Sequence, residues 1–301
     1  MNDWRYKPLL WLLKGLARLP FGVLYAISDF LYFLLYHVVR YRVKVVCKNI
    51  DESFPEKSKK EKKQIVRQFY RNLADYFVET LKLDHVSDEE IKKRMVFEGV
   101  EIMDDLMASG RSIAAYFSHC GNWEWAPSVI LWSRLENGTQ AHFCQVYRPL
   151  KNKFFDEYFL HLRSRFGPLS FQKKQTLRDL LTLRRDGLPS VTGFMSDQKP
   201  SHGDAVHVLK FLNHPTAVIT GTETLARKLG MAAVYWDMHK ISRGHYKIVV
   251  RLISGNVADT DRYDVTDRYV RLLEKTIDRE PPIWLWSHKR WKIPVSYEQE
   301  T

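Results

Sequence analysis

Cysteine is scarce in this chain, with three among 301 residues and no Cys-x-x-Cys pair. Thiols so few and so scattered exclude a disulfide framework and a cysteine-built metal site, and they predict a reducing compartment. Gly-x-Gly-x-x-Gly and Gly-Lys-Ser/Thr loops are also missing, which disfavours nucleotide binding. The chain has no low-complexity tract, internal repeat or Pro/Gly/Ser linker, so one globular domain with an N-terminal appendage is the simplest organisation.

Acidic residues are outnumbered, at 35 Asp and Glu against 47 Lys and Arg, which gives a formal net charge of +12. The excess is concentrated in residues 40–71, here called the basic shoulder, where eleven basic and four acidic side chains give a net +7. A balance this positive predicts an acidic partner. A basic shoulder directly after an apolar segment is typical of chains held at an anionic cytoplasmic leaflet.

The most apolar part of the chain is residues 19–39. As a helix it would be about 31 Å long, enough to cross a bilayer. Asp29 at its centre counts against crossing, because a central Asp costs roughly 3 kcal/mol on insertion scales. Polar and aromatic side chains between Lys7 and Arg40 share one arc of the helix, which suits a helix lying in the membrane interface or packed on the protein body. Crossing, interfacial and buried core helices all stay open at this point.

From about residue 60 onward, predicted helices and strands alternate. Apolar residues recur at three- and four-residue steps in the helices, and short apolar runs mark buried strands. Helices are predicted at 61–83, 99–109, 125–135, 154–166, 176–185, 219–229 and 261–279, and strands at 112–117, 141–146, 189–194, 206–211, 231–236 and 245–253. This order predicts an α/β fold with a central mixed, mostly parallel sheet flanked by helices. We expect a membrane-associated helical segment at 1–45 and an α/β domain at 46–301.

One motif places reactive side chains at the predicted edge of this sheet. Residues 118–124 read Ser-His-Cys-Gly-Asn-Trp-Glu and follow a predicted buried strand, and open α/β sheets bind ligands beyond the carboxyl ends of their strands. On one continuous helix His119 and Glu124 would lie about 140° apart, so they can pair only if Gly121 bends the chain between them. A carboxylate paired in this way would orient the imidazole as a general base. On the motif alone, a structural histidine in a turn is the alternative.

Four segments together carry a resemblance that spans nearly the whole chain. They are His119-x-x-Asn122-Trp123-Glu124; Tyr147-Arg148-Pro149 with Asn152; Asp197-Gln198 followed by Val208 and Phe211; and Trp286-x-His288-x-Arg290-Trp291-Lys292. In this order they resemble the motifs of the bacterial lipid A biosynthesis acyltransferases, the late lauroyl/myristoyl transferases of lipopolysaccharide assembly. Lys289 and Trp291 are conservative departures from the closing motif of that family. The apolar N-terminal segment with its basic shoulder also fits.

The resemblance implies an acyltransferase at the cytoplasmic face of the bacterial inner membrane. Such an enzyme moves a fatty acyl chain from acyl carrier protein to a hydroxyl of a lipid A precursor, and it needs no metal and no cofactor. It implies His119 as the general base and Glu124 as the residue that orients it. The substrate-binding residues implied are Asn122, Arg148, Asn152, Asp197 and Gln198.

Several of these residues keep a second interpretation. Arg148 offers a planar fork for a phosphate of the acceptor, or it forms a surface ion pair. Asn122 either bonds the reacting group or caps the next helix. Asp197 and Gln198 end a predicted strand at the expected active-site edge, but stabilising that loop would explain them equally well. His288, with its neighbours in the closing motif, is expected to hold the C-terminal segment.

Two other functions fit the same residues. In the first, the chain is an O- or N-acyltransferase that uses the same residues to acylate another membrane amphiphile, such as an aminolipid or a glycolipid. Alternatively, it is a non-catalytic basic protein that binds membranes. No nucleic-acid-binding module is evident, so no nucleic acid partner is expected. Direct attack by a hydroxyl leaves Cys120 without a nucleophilic role, and His202 and His207 lack further ligands at metal-binding spacing.

Overall fold

A computed structural model describes residues 4–134, 142–201, 206–292 and 295. Its centre is a seven-stranded sheet, and a separate two-stranded hairpin lies outside it. The strands are β1 (Met95–Glu98), β2 (Ile113–Phe117), β3 (His142–Tyr147), β4 (Leu169–Gln172), β5 (Ser190–Met195), β6 (Val208–Phe211), β7 (His214–Ala217), β8 (Ala232–Ser242) and β9 (His245–Ser254). The order in the sheet is β1-β9-β8-β2-β5-β3-β4.

Five neighbouring strands, β8, β2, β5, β3 and β4, run parallel, whereas β9 is antiparallel to β8 and pairs in parallel with β1. The prediction of a mixed, mostly parallel sheet is confirmed. The carboxyl ends of the five parallel strands therefore lie along one edge, here called the carboxyl edge. The predicted strand at 206–211 joins β7 in the hairpin rather than entering the sheet, and the predicted strand at 231–236 continues to Ser242.

Helices cover both faces of the sheet. They are α1 (Lys7–Arg18), α2 (Phe21–Phe33), α3 (Val43–Ser53), α4 (Lys59–Lys82), α5 (Asp88–Arg94), α6 (Val100–Ala108), α7 (Lys153–Arg163), α8 (Thr176–Arg185), α9 (Gly221–Leu229) and α10 (Asp264–Arg279). Tyr235 of β8 contacts Tyr269 of α10 on one face, while Trp236 donates to Met103 of α6 on the other. The α9 helix bonds to α10 and borders α8, so α8, α9 and α10 share one face.

The helix predicted at 125–135 is instead a 3₁₀-helix over Trp123–Trp132. Pro127 lies inside it, and a proline cannot donate the backbone bond that a regular α-helix needs. Residue 135, the last of the predicted helix, and residue 141, the first of the next predicted strand, lie outside the described residues. The 3₁₀-helix begins inside the motif that starts at Ser118.

The apolar N-terminal segment forms two successive helices with a break between them. The first helix, α1, ends at Arg18, and α2 begins after Pro20 and continues as a π-helical turn over Leu34–Val38. Proline fixes its own φ and favours an extended residue before it, which explains the break. Phe21–Val38 forms a helix long and apolar enough to cross a membrane by length and composition.

One side of this segment packs antiparallel along α4. Near the C-terminal end of the segment, Tyr36 stacks on Tyr70. In its middle, Ser28 donates to Asp75 and Tyr25 donates to Glu79. Near its start, the Lys82 ammonium donates to the backbone carbonyls of Ala17 and Leu19. Arg243, in the turn between β8 and β9, lies 2.7 Å from carboxylate oxygens of both Asp29 and Asp75. The part of the polar and aromatic stripe from Tyr25 to Tyr36 therefore packs on the protein body, which is one of the arrangements left open by the sequence, whereas Trp11 of α1 is 75% exposed.

Candidate active site

The turn after β2, residues 118–122, places His119 beside a carboxylate from the neighbouring strand. In the parallel pairing of β2 with β5, Phe117 lies opposite Met195, so the residues two positions further on, His119 and Asp197, meet at the carboxyl edge. His119 Nδ1 is 2.8 Å from Asp197 Oδ1, and the His119 backbone N–H donates to Oδ2 at 3.1 Å. The His119 side chain is 19% exposed and the Asp197 side chain 1% exposed, so solvent reaches the imidazole but not the carboxylate.

Asp197 is held from the opposite side by the C-terminal segment. Trp284 Nε1 donates to Oδ2 at 2.9 Å, and Arg290 Nε donates to the Asp197 backbone carbonyl at 3.0 Å. Burial would raise the pKa of this carboxyl, but the His119 charge and the donated hydrogen bonds outweigh it and hold the pKa below the ordinary 3.8. The carboxyl is therefore ionised at neutral pH. Arg290 also donates to the Ala217 carbonyl, as expected for a residue that holds the C-terminal segment.

This geometry determines the role of each imidazole nitrogen. A carboxylate accepts hydrogen bonds, so the nitrogen facing Asp197, Nδ1, carries the proton, and Nε2 keeps a lone pair. The Gln198 amide nitrogen lies 3.2 Å from Nε2, and the Trp123 ring meets the imidazole edge-on with centroids 5.1 Å apart. His119 can thus accept a proton at Nε2 while its orientation is fixed at Nδ1.

The expected pairing of Glu124 with His119 needs correction. Glu124 is buried, and its two oxygens accept hydrogen bonds from Arg163 Nη2 at 2.6 Å and Arg163 Nε at 2.7 Å. Tyr76 donates a longer bond of 3.4 Å to the same carboxylate. Since Glu124 lies in the 3₁₀-helix that leaves the turn, it faces α7 and α4, and the described carboxylate partner of His119 is Asp197.

Two predicted substrate-binding residues have structural contacts instead. Asn122 is fully buried and donates to Glu79 at 2.9 Å, and it makes no side-chain cap for the helix that follows. Asn152 caps α7 by accepting from the backbone N–H groups of Phe154 and Phe155. Both residues shape the elements that flank the site. The buried Oδ1 of Asn122 has no hydrogen-bond partner among the described residues.

Glu79 is a neighbour of the candidate site that was not predicted from the sequence. This buried α4 carboxyl accepts from Asn122, from Tyr246 at 2.9 Å and from Tyr25 at 3.1 Å. Burial raises the pKa of Glu79, against the lowering effect of the Asn122 bond. The signal in the sequence was a carboxylate three residues after Tyr76, on the predicted apolar face of α4.

Arg148 follows β3 and so lies on the same carboxyl edge as His119, with β5 between their strands. Its side chain is exposed, and it has no ion pair with any residue in the described parts of the chain. Arg148 is therefore free to bind an anion at this edge. The predicted alternative, a surface ion pair, does not form with any residue that the structure describes.

Cys120 and His207 offer no alternative chemistry. Cys120 is fully buried, and burial raises the pKa of its thiol well above the ordinary 9.0, which keeps it protonated. His207 pairs with Asp267 at 2.6 Å, and His202 lies outside the described residues. Among the described residues, no group of three or more His, Cys, Asp or Glu side chains could hold a metal ion.

Comparison with known proteins identifies the family. A model of the bacterial lipid A biosynthesis acyltransferases matches residues 4–293 of the chain. The chain belongs to this family. It is therefore an acyltransferase, and the family acylates lipid A, which sets aside the non-catalytic membrane-binding alternative.

Individual relatives are distant but match along almost their full length. The lipid A biosynthesis lauroyltransferase of Escherichia coli K12 is 25% identical over 287 residues, which cover 94% of this chain and 89% of the relative. The palmitoleoyltransferase of the same organism is 22% identical, with the same coverage. An acyltransferase of lipid A biosynthesis from Haemophilus influenzae is 24% identical over 93% of this chain and 87% of its own length.

Proposed function

We propose that this chain transfers a fatty acyl group from acyl carrier protein to a hydroxyl of a lipid A precursor, with His119 as general base and Asp197 as its positioning residue. The observation that carries the proposal is the 2.8 Å contact between His119 Nδ1 and the buried Asp197 carboxylate. A histidine oriented in this way, with its second nitrogen near solvent, is the arrangement that general-base catalysis needs.

The proposed reaction has no acyl-enzyme. His119 Nε2 takes the proton of the acceptor hydroxyl while the hydroxyl oxygen attacks the thioester carbonyl carbon. When the tetrahedral intermediate collapses, the C–S bond breaks, the ester C–O bond remains, and the imidazolium returns its proton to the departing thiolate. Asp197 stabilises the imidazolium between these two steps, and general-base catalysis of this kind contributes about 10²–10⁴ in rate.

Arg148 and Gln198 are the substrate-binding residues that we retain. Arg148 is exposed on the carboxyl edge, and its planar guanidinium can bind a phosphate of the acceptor through two parallel hydrogen bonds. Gln198 places an amide within 3.3 Å of both ring nitrogens of His119. It is therefore close enough to contact a reacting group at Nε2.

We further propose that α1 and α2 lie in the plane of the cytoplasmic leaflet of the inner membrane. The outward side of the segment carries exposed apolar side chains, namely Trp11, Leu12, Val23, Phe30, Phe33, Val38 and Val39. The opposite side is bound to α4 and, through Asp29, to Arg243. A crossing helix would have to give up these polar contacts, whereas an interfacial helix keeps them, and the basic shoulder next to it favours an anionic surface.

The decisive experiment uses the purified chain with a lipid A precursor and dodecanoyl acyl carrier protein, with products followed by mass spectrometry. We expect one added acyl group with the wild type and a rate about 10²–10⁴ lower with His119→Ala. The matched control is His161→Gln, because His161 is a partly exposed histidine that forms a surface pair with Asp84.

Full activity of His119→Ala would remove the assigned base. Acylation of an aminolipid or another glycolipid in preference to the lipid A precursor would instead favour the alternative acceptor. Since that alternative uses the same His119 and Asp197, only the acceptor in the assay separates it from the main proposal.

A further inference from the structure

The outer face of α8 combines apolar and basic side chains in a way that no contact within the described protein explains. Leu177 and Leu181 are 37% and 44% exposed, one helical turn apart. Together with Lys174, Arg178 and Arg185 they line a shallow groove of about 460 Å³. Residues 173–185 hold five Lys and Arg side chains and a single acid.

The cations of this groove differ from the arginines that hold buried parts of the molecule together. Arg163 and Arg243 form ion pairs with buried carboxylates. Lys174 and Arg178 have no acidic partner within the described residues, and Arg185 meets Asp186 in an exposed pair, which is worth little. The groove therefore keeps its positive charge available to a partner.

The groove also begins beside the carboxyl edge. α8 starts four residues after β4, and the Lys173 backbone N–H donates to the Tyr147 carbonyl at the end of β3. Three strand spacings separate β4 from β2, which is roughly 14 Å at about 4.8 Å per spacing. A flexible prosthetic arm attached to a partner on α8 can therefore reach His119 along this edge.

The α8 helix and the N-terminal helices lie on opposite faces of the sheet. α8 shares a face with α9 and α10, whereas α1 and α2 pack on α4, which lies on the other face with α7 and the Glu124–Arg163 pair. With α1 and α2 against a membrane, α8 stays open to the aqueous phase. A soluble partner can then deliver its cargo while the acceptor lipid approaches from the membrane.

We infer that α8 is the docking surface for the acidic carrier protein that delivers the acyl thioester. An acidic amphipathic helix would place its apolar face on Leu177 and Leu181 and its carboxylates on Lys174 and Arg178. The inference rests on the proposed function for the identity of the carrier. It adds where on this chain the carrier binds.

The test compares Lys174→Glu/Arg178→Glu with wild type, using two donors and one binding measurement. The donors are dodecanoyl acyl carrier protein and dodecanoyl pantetheine, and the binding measurement is fluorescence anisotropy of labelled holo carrier. The control, Lys228→Glu/Lys275→Glu, makes the same change of charge at two exposed lysines of α9 and α10. Leu177→Ala/Leu181→Ala removes the apolar part of the groove without changing charge, and circular dichroism confirms that each variant is folded.

For the α8 charge variant we expect KM for the acyl carrier donor to rise at least ~10-fold, with kcat within about twofold and KM for the pantetheine donor unchanged. Carrier binding should weaken by the same factor, and more strongly at low salt. The leucine variant should weaken binding as well, and the control should not. Carrier binding and KM at wild-type values in both α8 variants would overturn the docking surface while leaving acyl transfer intact. If the wild type transfers from neither donor but carrier binding is still lost in the α8 variants, the proposed function fails and the docking surface stands.

Discussion

Two buried carboxylates lie close to the His119 turn, and each has a different kind of nitrogen-bearing side chain beside it. Asp197 faces an imidazole that is partly exposed, whereas Glu124 faces the guanidinium of Arg163 through two short hydrogen bonds. Both carboxylates are almost fully excluded from solvent. They differ in what the partner can do with a proton.

A guanidinium stays protonated in proteins, so the Glu124–Arg163 pair is a permanent ionic contact. An imidazole changes charge near neutral pH, so the same negative charge at Asp197 can stabilise a proton that arrives and then leaves. Burying a carboxylate is therefore compatible with either a structural or a catalytic role. The difference between the two partners is the reason why we propose a catalytic role for Asp197 and a structural role for Glu124.

The largest expected effect comes from Asp197→Asn, which leaves the side chain with one oxygen that accepts hydrogen bonds instead of two. In Asp197→Asn the oxygen must stay on the backbone N–H of His119 and on Trp284, so the amide NH₂ faces Nδ1. Nδ1 must then be the unprotonated nitrogen, and Nε2 carries the proton that it should be free to accept. We expect kcat to fall about 10²–10⁴-fold with a smaller change in KM, measured by initial rates. A variant with wild-type kcat would show that the orientation of His119 by Asp197 is not used in catalysis.

A second test separates the two carboxylates by stability. Glu124→Gln and Arg163→Met each leave one buried partner unpaired, so each should lower the free energy of unfolding by about 3 kcal/mol. The double variant should lose clearly less than the sum, because neither charge is then left behind. Urea denaturation of the three variants gives these values. Additive losses would mean that the two side chains act independently and that the permanent-pair interpretation is wrong.

The smallest effect concerns a second histidine close to Asp197. Burial lowers the pKa of His288 to about 4, against the raising effect of Asp197, so His288 is neutral at pH 7 and leaves the carboxylate to His119. Because the unfolded chain takes up this proton near the ordinary pKa of 6.5, stability is fully present above that pH and is lost as pH falls from 6.5 towards 4.

His288 Nδ1 is buried without a hydrogen-bond partner among the described residues, so His288→Phe should flatten this part of the stability curve without changing its value at pH 8. Denaturation midpoints at pH 8, 6 and 4.5 measure the slope. An unchanged slope would show that a group other than His288 causes this pH dependence of stability. The control is again His161→Gln.

Local patterns in the sequence predicted much of the fold. The helix predicted at 176–185 has the same bounds as α8, and the strand predicted at 112–117 differs from β2 by one residue. The four-residue strands β1, β4 and β7 were missed, since so few residues carry too little periodicity to stand out. Gly121 was expected to allow the turn, and its φ of +57° confirms that a left-handed residue is needed there.

The carboxylate partner of His119 could not be predicted from the local sequence. Asp197 is 78 residues away from His119, and only the register of β2 with β5 brings the two together. Glu124 was the nearer carboxylate along the chain, but Arg163, 39 residues further on, occupies both of its oxygens. The motif therefore pointed to the histidine that we propose as the base, whereas tertiary pairing gave it a different carboxylate partner from the one predicted.

The antiparallel packing of α2 on α4 has a practical consequence for any attempt to obtain a smaller enzyme. A chain that began after residue 45 would strip Phe21 from the edge of Trp125 and leave the Lys82 ammonium without the Ala17 and Leu19 carbonyls that it bonds. Trp125 is the side chain that donates to the backbone of Glu79 beneath the His119 turn. Ala17, Leu19 and Phe21 therefore belong to the interior packing of the enzyme, and their removal would disturb the support of the His119 turn even where no membrane is present.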